Sequence, residues 1–330
     1  MFGEFRTYLL LLLALLLAAR GGEKHEEEET VVEHDLPPGV VPIGGEGRPQ
    51  SLAEATSGES NVALWEVRDD DTIVYLMGTV HVMRGGVEWR TNNIRLILDQ
   101  TDAIYLEADV FSRDAQRAMG LLVGRTAENE GDIKLSSFFD EYQKKHMDEI
   151  LAGFDLKISE LDSYRPWFAT MQIGLAAVYS AGGDPGSGAE VVLVQDALEN
   201  NRELRFLETA TEQIALLASG NDENDAAYMY DMIDTLVDTK AYYSDLVGAW
   251  YQGDVERIDF LVNDALKDYP DLRTRLLVER NYNWGHQIDR LLTDEYGIYL
   301  IAVGAGHLSG EDSVQAVLEG RGYEVTRIDN

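Results

Sequence analysis

The 330-residue chain has no cysteine. That excludes a disulfide-stapled scaffold, a thiol nucleophile and a Cys-ligated metal, so any bound ion must rest on His, Asp, Glu or backbone oxygen. Basic residues are few. Lys and Arg number 27 against 60 Asp and Glu, only 7 of the 27 are lysine, and the formal charge is −33. Such a surface repels phosphate backbones and acidic lipid headgroups, which argues against a nucleic-acid partner. It also stays hydrated in concentrated salt, where charges are screened over roughly 3 Å at 1 M, so adaptation to a salty medium is expected. Long apolar runs are missing as well. The longest, Tyr8 to Ala19, has twelve residues, short of the roughly 20 that a membrane-spanning helix needs. The chain contains no His-Glu-x-x-His, no Gly-x-Ser-x-Gly and no Walker loop, which excludes an ordinary zincin, a nucleophile elbow and a P-loop.

The Leu/Ala run has the length of the apolar core of a secretory signal, so residues 1–20 are expected to be a signal peptide or an N-terminal anchor. The protein is then exported, either secreted or membrane-anchored. Leu17-Ala18-Ala19-Arg20-Gly21-Gly22 carries Arg where a lipoprotein box has Cys, so lipidation is not expected. Residues 21–60 hold the acidic run Glu26 to Glu29 and four of the seven prolines, Pro37, Pro38, Pro42 and Pro49. This composition predicts an acidic, Pro/Gly-rich disordered linker. The folded part is expected over 61–330, and an apolar fraction of 45% suits a packed core.

Leu64 to Val67 and Thr72 to Met77 read as strands joined at Asp69-Asp70-Asp71, and Ala103 to Leu106, Leu204 to Leu207, Ile298 to Val303 and Tyr323 to Ile328 read as four more. The intervals from about Ser112 to Asn200 and Thr211 to Asp294 are mostly helical. There Val191, Val194 and Leu198 share one face, and Leu277, Trp284, Ile288 and Leu291 share another. The fold class is therefore α/β and helix-rich: a central mixed sheet from two pseudo-repeated halves with a large helical insertion. The repeat is an echo. Gly78-Thr79-Val80-His81 follows one apolar strand and Gly304-Ala305-Gly306-His307 follows another.

A Gly at a strand end lets the chain turn sharply, and the His three residues later is then presented at the sheet's carboxyl edge. Glu107 and Glu208 end two other strands. Isolated buried charges are costly unless paired or bound to a cation, so the four strand ends suggest one polar constellation. Two imidazoles and one or two carboxylates suit a divalent metal. Each could also be structural: a capped His, or a carboxylate serving the next helix. Thr209-Ala210-Thr211-Glu212 fits a capping box, which gives Glu212 that role. Arg280 and Asn281 flank an apolar stripe, so the guanidinium points inward and needs a partner: a structural ion pair with Glu190 or Glu208, or a substrate carbonyl or metal-ligating carboxylate that it orients. Arg165 precedes Pro166 and is read as packing against the core. His25, His34, His146 and His286 have no matching partner, and Gly186-Ser187-Gly188 reads only as a loop.

Leu64-Trp65-Glu66-Val67, Gly78-Thr79-Val80-His81, Leu106-Glu107, Arg165-Pro166-Trp167, Leu207-Glu208-Thr209 with Glu212-Gln213, Glu279-Arg280-Asn281 with Trp284, and Val303-Gly304-Ala305-Gly306-His307-Leu308 occur in this order. Over about Val62 to Asp329 the chain resembles the TraB/GumN family, which includes Tiki-type metal-dependent proteases. The resemblance implies an extracytoplasmic α/β protein with a metal-dependent hydrolase centre at its paired Gly-x-x-His motifs. Carried over by position, His81, Glu107 and His307 are the metal ligands. Glu190, Glu208 and Arg280 line the site as catalytic candidates: a carboxylate to take a proton from water, and a guanidinium to steady an oxyanion or a carboxylate. The expected cofactor is a divalent ion, Mn, Co or Zn, and the expected partner is an exposed peptide or protein substrate. The alternative is a non-catalytic module that binds or sequesters a pheromone-like peptide in the same cleft.

Overall fold

The computed structural model describes residues 43–45 and 47–328. The expected signal segment at 1–20, the linker as far as residue 42, and His25 and His34 lie outside the described residues. The remainder of the expected linker is not all loop. Leu52–Ala55 forms a short helix, α1, capped by Ser51, with Leu52 and Ala55 buried. Ordered packing thus begins before the expected start at Asn61, because these two apolar side chains have the helix Thr239–Gln252 to bury against.

Six strands form one sheet: β1 (Leu64–Arg68), β2 (Thr72–Thr79), β3 (Ala103–Ala108), β4 (Glu203–Glu208), β5 (Gly297–Gly304) and β6 (Val325–Ile328), in the order β4-β3-β5-β2-β1-β6. β1 and β2 make an antiparallel hairpin. At its turn, Asp69 Oδ1 accepts the backbone N–H groups of Asp71 and Thr72 at 3.2 and 2.9 Å, the local bonding that favours Asp in turns. β6 adds antiparallel to β1. The other pairings are parallel: β2 with β5, β5 with β3, and β3 with β4. The sheet is mixed and the protein helix-rich, as the sequence pattern predicts. The two echoed strands, β2 and β5, are neighbours at its centre, with Gly78 opposite Val303 and Thr79 opposite Gly304.

Helices cover both faces. Between β3 and β4 lie Arg113–Thr126, Glu141–Leu151, Pro166–Ser180 and α2 (Ala189–Glu199). Between β4 and β5 come α3 (Ala210–Ala218), Asp222–Met232, α4 (Thr239–Gln252), Val255–Val262 and α5 (Glu279–Asp294). α5 brings Trp284, Ile288, Leu291 and Leu292 onto one face against Val74, Leu76, Ile301 and Val303. The insertion packs on the other, which includes Met77, Ile104, Leu106, Leu300 and Ala302. Burial on both sides explains why β5 reads as an unbroken apolar run. Leu198, expected to be buried with Val191 and Val194, is 69% exposed in the last turn of α2. No helix among the described residues is long and apolar enough to cross a membrane.

Candidate metal centre and active site

Four adjacent parallel strands finish at one edge of the sheet, and all six candidate side chains collect there. His81 lies two residues beyond β2, Glu107 is the penultimate residue of β3, Glu208 ends β4, and His307 sits in the 3₁₀ turn Ala305–Leu308 after β5. Glu190 stands in the first turn of α2 and Arg280 in that of α5. Glu107, Glu190 and His307 are 7%, 6% and 1% exposed.

The two imidazoles are held alike. His81 Nδ1 lies 2.6 Å from Glu190 Oε1, and His307 Nδ1 lies 2.6 Å from Asn281 Oδ1. Each ring is therefore tied at Nδ1, which leaves Nε2 to face the site. A side chain on Gly304 would place its Cβ 3.1 Å from Glu107 Oε1, 3.5 Å from His81 Nε2 and 3.6 Å from His307 Cδ2. The missing Cβ leaves a cradle that both imidazoles and the carboxylate border. Gly304 N–H donates to Glu107 Oε1 at 2.7 Å, and His307 Nε2 stands 3.9 Å from the same oxygen.

Arg280 joins these groups. Nη2 donates to Glu107 Oε2 and Glu208 Oε1, both at 2.5 Å, and Nη1 donates to His307 Nε2 at 3.0 Å. Nη1 also reaches Leu276 O at 3.1 Å, a carbonyl within the π-helical turn Thr274–Val278. Such turns often occur at functional sites. The guanidinium lies over the Trp284 ring at 4.6 Å, and the His307 ring packs on the same indole at 4.5 Å. Gln213 ties the carboxylates together, donating to Glu107 Oε2 at 3.2 Å and Glu208 Oε1 at 2.6 Å.

The electrostatics follow. Burial works against the charge on Glu107, but Arg280, the two imidazoles and the Gly304 N–H overcome it and hold the carboxyl well below the usual range. Glu208 is pushed up by burial, against Arg280. Burial opposes a proton on His81, yet Glu190 and then Glu107 raise it from 6.5 to about 9. Burial and Arg280 push His307 down to about 3, so it is neutral. The imidazoles thus share a geometry and differ in charge.

Among the described residues, no group of three or more His, Cys, Asp or Glu side chains stands ready to hold an ion. The Arg280 guanidinium lies where such a group would close, bonded to His307 Nε2 and both carboxylates. The donors themselves fit a divalent cation taken by N and O ligands. Two Nε2 atoms are preset by their Nδ1 partners, and a carboxylate oxygen borders the same cradle. The charges fit too. Three carboxylates, Glu107, Glu190 and Glu208, meet one guanidinium, and the protonated His81 makes up part of the deficit that a divalent ion would fill.

At the site the structure decides one open expectation and corrects two. The partners of Arg280 are Glu208 and Glu107, while Glu190 bonds His81 and Thr79 instead. Arg165 is an anchor rather than a packing residue: it pairs with Asp222 at 2.8 Å and donates to the carbonyls of Thr126, Ala218 and Gly220. The loop at Gly186-Ser187-Gly188 positions the site. Ala189 N–H donates to Val80 O at 3.0 Å, which starts α2 where Glu190 meets His81. Glu212 caps α3 with Thr209 as expected. His146 pairs with Asp234, and His286 packs beside Tyr282 and Arg321, away from the centre. Sequence reasoning gave no role to Asn281 or Gln213, although each is a polar side chain on an otherwise apolar helix face.

The family model described as the TraB/PrgY/gumN family matches residues 63–327. A protein of Treponema pallidum (strain Nichols), described as uncharacterized, is 24% identical over 274 residues, covering 78% of this chain and 80% of its own. No solved structure matches significantly.

Proposed function

Because the chain belongs to the TraB/PrgY/gumN family, we propose that it is a metal-dependent hydrolase, a peptidase acting on exposed peptides outside the cytoplasm. One observation carries this reading: two imidazoles tied at Nδ1 present Nε2 to a cradle that they share with Glu107. His81, Glu107 and His307 would hold Mn, Co or Zn. Such an ion supplies Lewis acidity toward a scissile carbonyl and acidifies water.

The remaining work falls to the chain's own side chains. Glu208 is the proton acceptor in this reading, because burial raises its pKa toward the range useful for a general base. Glu190 lies behind His81, on the Nδ1 side, and orients that ring. Arg280 pairs with Glu107 and Glu208 at rest and can turn a donor to an oxyanion. Gln213 fixes the spacing of the two carboxylates.

Metal-stripped protein reloaded with Mn, Co or Zn and offered a peptide library should cleave it, as read by mass spectrometry. A chelator, or His81→Ala or His307→Ala, should abolish both cleavage and ion uptake. Absence of ion uptake by the wild type would sink the reading. The second reading, capture of a peptide without cleavage, is favoured by the way Arg280 already occupies both carboxylates and His307 Nε2. Peptide retention with no product, with or without ion, would establish it.

A further inference from the structure

Arg280 and Asn281 are consecutive on α5, yet they grip opposite nitrogens of one ring. Arg280 Nη1 carries only hydrogens and donates, so His307 Nε2 at 3.0 Å must accept. Asn281 Nδ2 donates to the Asp312 carbonyl at 2.7 Å, which fixes the amide so that its Oδ1 faces His307 Nδ1 at 2.6 Å. That oxygen can only accept, so Nδ1 must carry the proton. The two constraints come from different side chains and agree. Trp284, three residues after Asn281 and one turn further along α5, backs the ring at 4.5 Å. Asn281 and His307 are 2% and 1% exposed, so water offers the ring no other partner.

We propose that Asn281 is the positioning residue of this site, dedicated to keeping His307 in the tautomer with hydrogen on Nδ1 and a lone pair on Nε2. An amide is suited to this task. It accepts from Nδ1–H without adding charge, whereas the carboxylate behind His81 favours a second proton on that ring. The neutral partner leaves His307 Nε2 as an acceptor for Arg280 now and, on the proposed function, for an ion later. A residue that served only to fill space at position 281 would leave the choice of tautomer to Arg280 alone.

Long-range ¹H–¹⁵N correlation spectra of the metal-free protein, with His307 assigned by its loss in His307→Gln, should show Nδ1 protonated and Nε2 bare. A wild-type ring with its hydrogen on Nε2, or one averaging between tautomers, would overturn the proposal without recourse to any variant. In Asn281→Leu, of similar size but without an acceptor, only Arg280 still selects the tautomer, so the preference should weaken to a ring that averages between tautomers; a single unchanged tautomer would show that Arg280 suffices and would again overturn the proposal. The second readout rests on the proposed function: ion affinity by calorimetry should fall about 10- to 100-fold in Asn281→Leu, and equal affinities would count against the role. If the wild type itself takes up no ion, the hydrolase reading fails, while the tautomer spectra still decide the role of Asn281.

Discussion

Thr79 lies opposite Gly304 in the parallel pairing of β2 and β5, and this register makes His81 and His307 neighbours although 226 positions separate them in the chain. Each motif leaves its strand at the same height and turns over the same edge. A slip of one residue would turn one strand's side chains to the opposite face. The two-faced core on β2 and β5 therefore guards the site's geometry as well as the fold.

The unequal charge states of the two imidazoles make the pH dependence directional. The folded His81 value, about 9, lies above its ordinary 6.5. Its proton therefore contributes stability in full below pH 6.5, and that contribution is lost as pH rises through about 9. Glu190→Gln removes the charge responsible. The melting temperature of the metal-free wild type should fall toward that of Glu190→Gln across this window, and two parallel melting curves would contradict the assignment. An ion must displace the same proton, so uptake should strengthen over the same range.

Gly304→Ala tests the cradle. The backbone there, at φ −49° and ψ 135°, accepts any residue, so the added methyl brings no backbone strain. It would sit 3.1 Å from Glu107 Oε1 and 3.5 Å from His81 Nε2, in the space an ion would need. We expect at least a tenfold loss of ion affinity with a melting temperature within a few degrees of wild type, measured by calorimetry and thermal denaturation. Undiminished ion affinity would place the ion elsewhere.

Much of this was legible in the sequence because strands buried on both faces leave a strong apolar signature. All six strands lie where the pattern puts them, and His81, Glu107, Glu208 and His307 stand out as polar groups at apolar strand ends. What could not be read was pairing across the edge. The spacing of Arg280 along α5 says that it points inward but not whether Glu190 or Glu208 awaits it, since that depends on where the insertion sets down α2. Asn281 and Gln213 were hidden for a related reason: a buried amide becomes meaningful only when its partner is known. Leu52 and Ala55 were masked by the prolines and charges around them.

Gly188→Ala probes how α2 is set against the first motif. A Cβ at Gly188 would lie 2.1 Å from His81 O and 2.6 Å from His81 C, both backbone atoms that cannot turn aside. The loop or the start of α2 must shift, which separates Glu190 from His81. We expect His81 to lose its raised pKa, seen as an NMR titration midpoint that moves down from about 9. A midpoint unchanged in a folded variant would mean that the contact is dispensable.

Arg280→Gln separates the resting role of the guanidinium from its catalytic one. Removing one partner of a buried pair leaves uncompensated charge and typically costs about 3–5 kcal/mol. Arg280 here serves two carboxylates at 2.5 Å, so the metal-free variant should melt well below the wild type. The same change bares His307 Nε2 and both carboxylates to an incoming cation. Ligands that bind only the folded state raise its stability by mass action, so added Mn should raise the melting temperature of Arg280→Gln more than that of the wild type. If Mn stabilised both equally, the guanidinium and the ion would not compete for one place, and the ligation by His307 would have to be abandoned.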